Sequence, residues 1–440
     1  MPKPRVWLVA ALAIPYLLLL ASSGLLGPDE PRYAAIGHQM ASSGDWITPT
    51  LWGKPWFEKP PLLYWLIATF DTLGFPPDLA ARLPVTLLGL GFLFALPSLE
   101  AALILGTSIG WLALSQVAVT DLPLTVCFHA FLILILRNKP WLAGIALGLA
   151  VLAKGLVPLV LCLPVALLYR KEWRHWAAML ATALPWYIAC YAVNGQRFID
   201  EFIIRHHIQR FLSPELQHVQ PFWFYIPVLI GLAMPWAPAF LRLTKIEDEQ
   251  KPYLYTVLWG FLFLSVSRNK LPAYVLPLLP SIAVLIAGKL LRWHYAFAAG
   301  LLIALPIVSP WLPTAIDEGL SKANFNDTAW PWLLATPIAA WLAYRYQQKA
   351  VIAAAILAIC TLKLNLYPSL AGTVSAKNSK LTCLPEGASR GLRYGLSYYL
   401  NREVDYCLEP QEDPALLQRP DKAPGDQKVN PGSQADPQQR

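Results

Sequence analysis

The chain has 440 residues, of which 56% are hydrophobic and 14% charged, with a formal net charge of +8. A soluble domain averages about 25% charged residues, and no soluble core of one or two domains could bury this much apolar sequence. A soluble fold is excluded. Nucleic acid is not needed to explain the positive charge, because cytoplasmic loops of membrane proteins carry excess Lys and Arg.

Lys3 and Arg5 open the chain, and an apolar run follows from Val6 to about Leu26. At about 20 residues it suits a retained spanning anchor better than the short core of a cleaved signal peptide. Further apolar segments lie at about 83–99, 101–118, 121–136, 140–153, 155–169 and 176–193. Others follow at about 222–240, 252–267, 271–288, 293–312, 330–344 and 350–368, giving about thirteen candidate spans. Residues 61–74 are apolar but short and follow Pro60-Pro61, so they read as an interfacial or half-entering segment. Cys127, Cys162, Cys190 and Cys360 fall in apolar stretches as ordinary packing thiols. Gly144 and Gly148 form one GxxxG, a sign of close helix packing.

With the N-terminus inside, the inner segments hold Lys3, Arg5, Arg137, Lys139, Arg170, Lys171, Arg174, Arg242, Lys245, Lys251, Lys289, Arg292, Arg345 and Lys349. That is the pattern of the positive-inside rule, and it puts the C-terminus outside. One inner turn, 97–100, has no basic residue. The outer face is not poor in positive charge either. It carries Arg32, Lys54, Lys59, Arg82, Lys154, Arg197, Arg205, Arg210, Arg268, Lys270 and Lys322. Either a bound anion such as a lipid phosphate or ion pairs with Asp29, Glu30, Asp45, Glu58 and Glu201 would hold them there.

Two outer segments exceed what a connection needs. Residues 27–60 mix acids, bases, aromatics and prolines, and Pro31 after Asp29-Glu30 suits a helix start. That helix is expected to run to about Ala41 along the membrane surface, with Tyr33, Ile36, Gly37 and Met40 on one face. The second segment, 194–221, contains Arg205, His206, His207, Arg210 and His218. Adjacent histidines on a helix point about 100° apart and seldom share one ion. A divalent ion near Asp29 and Glu30 stays open, and no cofactor is otherwise implied. After residue 369 the chain turns polar. Residues 370–409 are expected to form a small appendage that a Cys383–Cys407 disulfide could staple, and 410–440 a disordered tail.

The first outer segment carries Asp29-Glu30-Pro31-Arg32-Tyr33-Ala34, Ser43-Gly44-Asp45-Trp46, Phe57-Glu58-Lys59-Pro60-Pro61 and Tyr64-Trp65. Further on stand Arg82-Leu83-Pro84, Thr120-Asp121, Ala153-Lys154-Gly155 and His207-Ile208-Gln209-Arg210-Phe211. Pro221-Phe222-Trp223, Pro235-Trp236 and Lys270-Leu271-Pro272 with Tyr274 and Pro277 complete the series. In order and spacing these resemble bacterial 4-amino-4-deoxy-L-arabinose lipid A transferases and their protein mannosyltransferase relatives, from about residue 27 to 285. Family members often have Glu where this chain has His206, and commonly carry a larger periplasmic domain after the position of residue 369.

The resemblance implies an all-α, GT-C-type polytopic membrane protein of the bacterial inner membrane. A transmembrane domain over 1–369 would hold periplasmic loops at 27–82 and 194–221, with the active site, the appendage and the C-terminus all periplasmic. It also implies a polyprenyl-phosphate-linked sugar as donor and a lipid, glycan or protein acceptor, lipid A being one. A phosphate leaving group departs as an anion and needs positive charge nearby. Lys59, Arg210 and Lys270 are the motif cations for it. A hydroxyl acceptor needs a general base, for which Asp29 is the natural candidate; a phosphate acceptor needs none, and Asp29 would then orient it. Glu30 and Asp121 complete the candidate catalytic carboxylates, although Asp29 and Asp121 also read as plain helix caps and Lys154 as a span terminus. Arg32, Tyr33, Glu58, His207 and Tyr274 are the candidate substrate contacts. A transporter or flippase of a lipid-linked anion is the second class, but it should place charges at the bilayer midplane in paired repeats, and no repeat is visible.

Overall fold

The computed structural model of the chain describes residues 3–21, 24–209, 220–267, 269–308, 329–365, 383–384, 388 and 390–407. It is a helical assembly in which each expected apolar segment carries helix. The first part comprises α1 (Lys3–Leu17), α2 (Asp29–Ser43), α3 (Leu62–Thr72) and α4 (Pro77–Phe92). A two-residue hairpin, β1 (Thr50–Leu51) with β2 (Lys54–Pro55), interrupts them.

Several expected spans are broken into shorter helices. The 101–118 segment becomes α5 (Leu99–Thr107) and α6 (Ile109–Leu114), parted at Ser108, whose backbone is extended. Then come α7 (Asp121–Leu136) and α8 (Pro140–Lys154). The 155–169 segment divides into α9 (Val157–Leu161) and α10 (Leu163–Leu168), each with a proline in its first turn, where the missing N–H costs nothing. Helix α11 (Arg174–Asn194) has 21 residues and is the one described helix long and apolar enough by itself to cross a bilayer. Only 28% of its apolar window is buried, unlike the core helix of a soluble protein.

A short turn (Gln196–Phe198) and a π-helix (Ile199–Gln209) follow α11. Beyond them lie α12 (Tyr225–Ala233) and α13 (Lys251–Val266), then a 3-10 turn (Pro272–Leu278) leading into α14 (Leu279–Ile286). Helices α15 (Arg292–Val308), α16 (Ala329–Tyr346) and α17 (Gln348–Asn365) complete the bundle. Leu333, Leu334, Ile338 and Trp341 on α16 are each at least 59% exposed. A continuous apolar outer surface of this kind is one solvated by lipid rather than water.

The two glycines of the GxxxG pack α8 on α11 at the closest possible approach. A Cβ at Gly144 would lie 2.2 Å from the carbonyl oxygen of His175, and one at Gly148 2.9 Å from that of Met179. Gly37 does the same for α2 on α3, where a Cβ would lie 2.5 Å from Ile67 Cγ2.

Charges sort to two ends of the bundle. At one, Arg5 donates to the Phe94 carbonyl (3.1 Å) and Arg137 to that of Ala95 (3.3 Å). Glu100, in the turn that lacks a basic residue, accepts from the Tyr295 hydroxyl and the Gly288 N–H. The other end gathers α2, the start of α4, the start of α7 and the end of α8.

Beside α2 sits the appendage. β3 (Cys383–Leu384) pairs in parallel with β4 (Asp405–Tyr406), α18 (Arg390–Tyr399) lies between them in sequence, and the Cys383 and Cys407 sulfurs are joined at 2.01 Å. Tyr399 fixes it to the bundle. Its hydroxyl donates to Asp78 and accepts from the Leu25 N–H, both at 2.9 Å, while Lys54 pairs with Glu403 at 3.2 Å.

Candidate active site

Helix α2 runs from Asp29 through Ser43, with Tyr33, Ile36, Gly37 and Met40 buried. Its first two residues point to different partners, as neighbours 100° apart on a helix must. The N-cap position is Pro28, so Asp29 is the first residue of the helix rather than its cap. Its carboxylate, 41% exposed, pairs instead with Arg32 one turn on. Arg32 in turn reaches Glu58 at 3.1 Å, and Glu58 holds Lys59 at 2.9 Å. The result is an alternating chain of charges, Asp29–Arg32–Glu58–Lys59, buried at its centre and open at the Asp29 end. Burial opposes the charge of Arg32, but the carboxylates of Glu58 and Asp29 outweigh it and hold its pKa well above the usual value. Aromatic rings surround the guanidinium: Tyr394 at 5.1 Å, Trp56 at 5.7 Å and Tyr33 at 5.8 Å. Burial raises the Tyr33 phenol well above its ordinary pKa, so it stays a neutral hydrogen-bond donor.

Glu30 corrects the expectation that it is a catalytic carboxylate. It is fully buried. One oxygen accepts from Arg82 Nε (2.7 Å) and the Ala118 N–H (2.8 Å), the other from Arg82 Nη2 (2.8 Å) and the Leu26 N–H (2.6 Å). All four acceptor positions are taken, which leaves none for a substrate. Arg82 also donates to the carbonyls of Leu20 and Gly24. The pair ties the end of the first span, the start of α2, the α4 helix and the loop before α7 into one frame.

Through that loop the frame reaches a second cluster. Asp121 is the first residue of α7, one past the N-cap Thr120. It takes a 2.5 Å bond from Lys154 at the end of α8, whose ammonium lies 4.1 Å from the ring centroid of Tyr274. Lys270 is 3% exposed, and its ammonium donates to the carbonyls of Gln220 (3.0 Å) and Ser267. Among the described residues it has no carboxylate partner.

The two outer segments meet. Phe57 packs edge-on against Phe198 at 5.3 Å, Trp186 donates to the Ile47 carbonyl (3.0 Å), and Asn194 to the Thr48 hydroxyl (2.9 Å). The outer cations Arg32, Lys54, Lys59, Arg82, Lys154 and Arg197 all have acidic partners, so ion pairing accounts for most of the positive charge on that face. Arg210 and the side chain of His207 lie outside the described residues. So do the side chain of His206, His218 and Arg268. Among the described residues no group of three or more His, Cys, Asp or Glu is placed to hold a metal ion, and Asp29 and Glu30 are each committed to an arginine.

Sequence reasoning named residues that the structure gathers into two clusters, Asp29, Arg32, Tyr33, Glu58 and Lys59 in one and Asp121 and Tyr274 in the other. It read Lys154 as a span end, although the Ala153-Lys154-Gly155 motif marked it. Trp56 and Tyr394 went unread; Tyr394 lies in the polar appendage, where no local signal marked it.

No family model matches the chain. The undecaprenyl phosphate-alpha-4-amino-4-deoxy-L-arabinose arabinosyl transferase of Pseudomonas aeruginosa (strain UCBPP-PA14) is 33% identical over 339 residues, 66% of this chain and 61% of that protein. The enzyme of that name from Shewanella sediminis is 27% identical over 380 residues, 75% of this chain and 69% of its own. The crystal structure of ArnT from Cupriavidus metallidurans bound to undecaprenyl phosphate superposes with a TM-score of 0.70 at 23% identity, covering 92% of this chain and 86% of that one.

The chain is similar in sequence to these transferases, and its fold is that of the Cupriavidus structure. The arabinosyltransferase EmbB of Mycobacterium smegmatis is a more distant fold neighbour, with a TM-score of 0.51 over 90% of this chain and 42% of that one. The chain spans about three fifths of the length of the Pseudomonas relative. Its membrane character, mostly helical fold and resemblance to the aminoarabinose transferases agree with the sequence analysis.

Proposed function

We propose that the chain is a membrane glycosyltransferase that moves 4-amino-4-deoxy-L-arabinose from undecaprenyl phosphate to an acceptor at the periplasmic face, lipid A being the first acceptor to test. The observation that carries this reading is the open end of the Asp29–Arg32–Glu58–Lys59 chain. It presents a half-exposed carboxylate beside held cations, in a chain one third identical to enzymes named for that donor.

In the reaction the bond between the sugar's anomeric carbon and the carrier phosphate breaks, and the phosphate leaves with the electron pair. An acceptor oxygen forms the new bond. Lys270, buried with only carbonyl acceptors, and Lys59 balance the departing phosphate. Arg210 is assigned the same task by its motif. Asp29 removes the proton of a hydroxyl acceptor, or orients a phosphate acceptor that has none to lose. Asp121, held by Lys154 under Tyr274, shapes the neighbouring wall, and Tyr33 and His207 contact the sugar. Glu30 fixes the start of α2, and with it the position of Asp29, through Arg82.

The topology proposed with this function places the N-terminus in the cytoplasm with Arg5, Arg137 and Lys139. About thirteen crossings, several of them built from broken helices, put the candidate site and the small C-terminal appendage in the periplasm. The transmembrane unit is 1–369 and the appendage 370–409; the 410–440 tail lies outside the described residues. A transporter reading gains nothing from the fold neighbours or relatives, which are transferases by name.

The test is transfer in liposomes supplied with undecaprenyl-phosphate sugars and Gram-negative lipid extract, with products read by mass spectrometry. A pentosamine mass gain on one acceptor, lost in Asp29→Asn, supports the reading. Redistribution of the lipid-linked sugar between leaflets without transfer would replace it with the transporter.

A further inference from the structure

Arg32 is the only residue in the cluster that touches both Asp29 and Glu58 among the described contacts, and its two ion pairs leave one guanidinium nitrogen without a partner. Nη1 meets Glu58 and Nη2 meets Asp29, but Nε is buried with no partner among the described residues. Asp29 is itself half in solvent, so it is a weak fixed point. What remains to set the guanidinium plane is the aromatic surround, and the nearest ring is Tyr394 of the appendage, at 5.1 Å. Tyr394 is 8% exposed. Its helix, α18, packs on α2 and is tethered beside it by the Tyr399 bonds to Asp78 of α4 and to the Leu25 N–H and by the pair between Glu403 and Lys54 of β2. The ring is thus delivered from a segment more than 300 residues away in sequence onto the middle of the charge chain.

We propose that Tyr394 is a positioning residue: it holds Arg32 in the plane that joins Asp29 to Glu58, and through Arg32 it aims the Asp29 carboxylate. Tyr394 acts through its ring face, since a cation over an aromatic face is attracted by the ring quadrupole. The link to the reaction rests on the reading of Asp29 given above; the positioning of Arg32 does not.

Two experiments separate these. In nanodiscs, Tyr394→Leu is expected to lower kcat about tenfold with donor KM within about threefold of wild type, while Tyr394→Phe, which keeps the ring face, retains most of kcat. A role in folding alone would instead lower yield and thermal stability and leave kcat per folded molecule unchanged. That result overturns the proposal, as does a Phe variant no better than Leu. Asp29→Asn is assayed beside them, so an active wild type with an inactive Asp29→Asn and an unaffected Tyr394→Leu sinks the inference and leaves the function standing. Should wild type transfer nothing, a thermal double-mutant cycle of Arg32→Lys and Tyr394→Leu still decides. Non-additive melting shifts show that the ring holds the guanidinium, and additive shifts overturn it.

Discussion

Asp29 keeps 41% of its side-chain surface in solvent while Glu30, one residue later, keeps none, and the two carboxylates should fail in different ways when altered. Asp29→Asn removes a charge from the open end of the cluster. Transfer should fall by about 10²–10⁴-fold if the acceptor is a hydroxyl, with the melting temperature nearly unchanged. Glu30→Gln leaves Arg82 buried beside carbonyls without a counter-charge, at a cost of about 3–5 kcal/mol. Thermal unfolding in detergent should show that loss directly, and an unchanged transition would refute the structural role. Lys270→Met tests the phosphate side. A charged hydrogen bond is worth about 1.5–3 kcal/mol, so affinity for undecaprenyl phosphate should drop at least about tenfold by native mass spectrometry. At this scale the motifs around Asp29, Lys59 and Lys270 were legible from spacing. The division of labour between Asp29 and Glu30 was not, because adjacent residues of one type look alike until the helix sets their directions.

Among the elements, α8 and α11 meet across the two glycines of α8. Gly144→Ala would drive a Cβ into the His175 carbonyl oxygen, 2.2 Å away. A backbone atom cannot rotate aside as a side chain can. Overpacking costs about 1–3 kcal/mol in ordinary cores, and this site should reach the upper part of that range, read as a lower melting temperature. Gly300→Ala is the matched control, since the nearest atom to its Cβ would be 3.6 Å away. The GxxxG spacing announced this contact, and apolar runs announced where helices lie. Their breaks at Ser108 and between α9 and α10 were harder to see, because uninterrupted hydropathy hides changes in backbone direction. The helix α2 followed from its acidic start and Pro31, while its acidic side chains found arginines one turn and 52 residues away.

For the whole molecule, the separation of charges into two ends gives a topology that labelling can check. With a membrane-impermeant maleimide on intact spheroplasts, Ser43→Cys, at the exposed end of α2, should react. Lys139→Cys, exposed in the turn between α7 and α8, should react only after the membrane is opened. The reverse pattern would turn the proposed orientation over. Composition alone made a soluble fold untenable, and the positive-inside distribution supplied an orientation. What no charge count contained was how the outer cations are used, because pairing depends on distances across the assembled fold.

The Glu30–Arg82 pair also constrains how the protein is made. Arg82 belongs to α4 and Glu30 to the start of α2, and neither side chain has surface left for water. A charge buried without its partner costs about 3–5 kcal/mol, and here that penalty is lifted only when the two meet. The start of α2 and the first turns of α4 therefore reach their final places together, and until they do each charge stays where water can reach it.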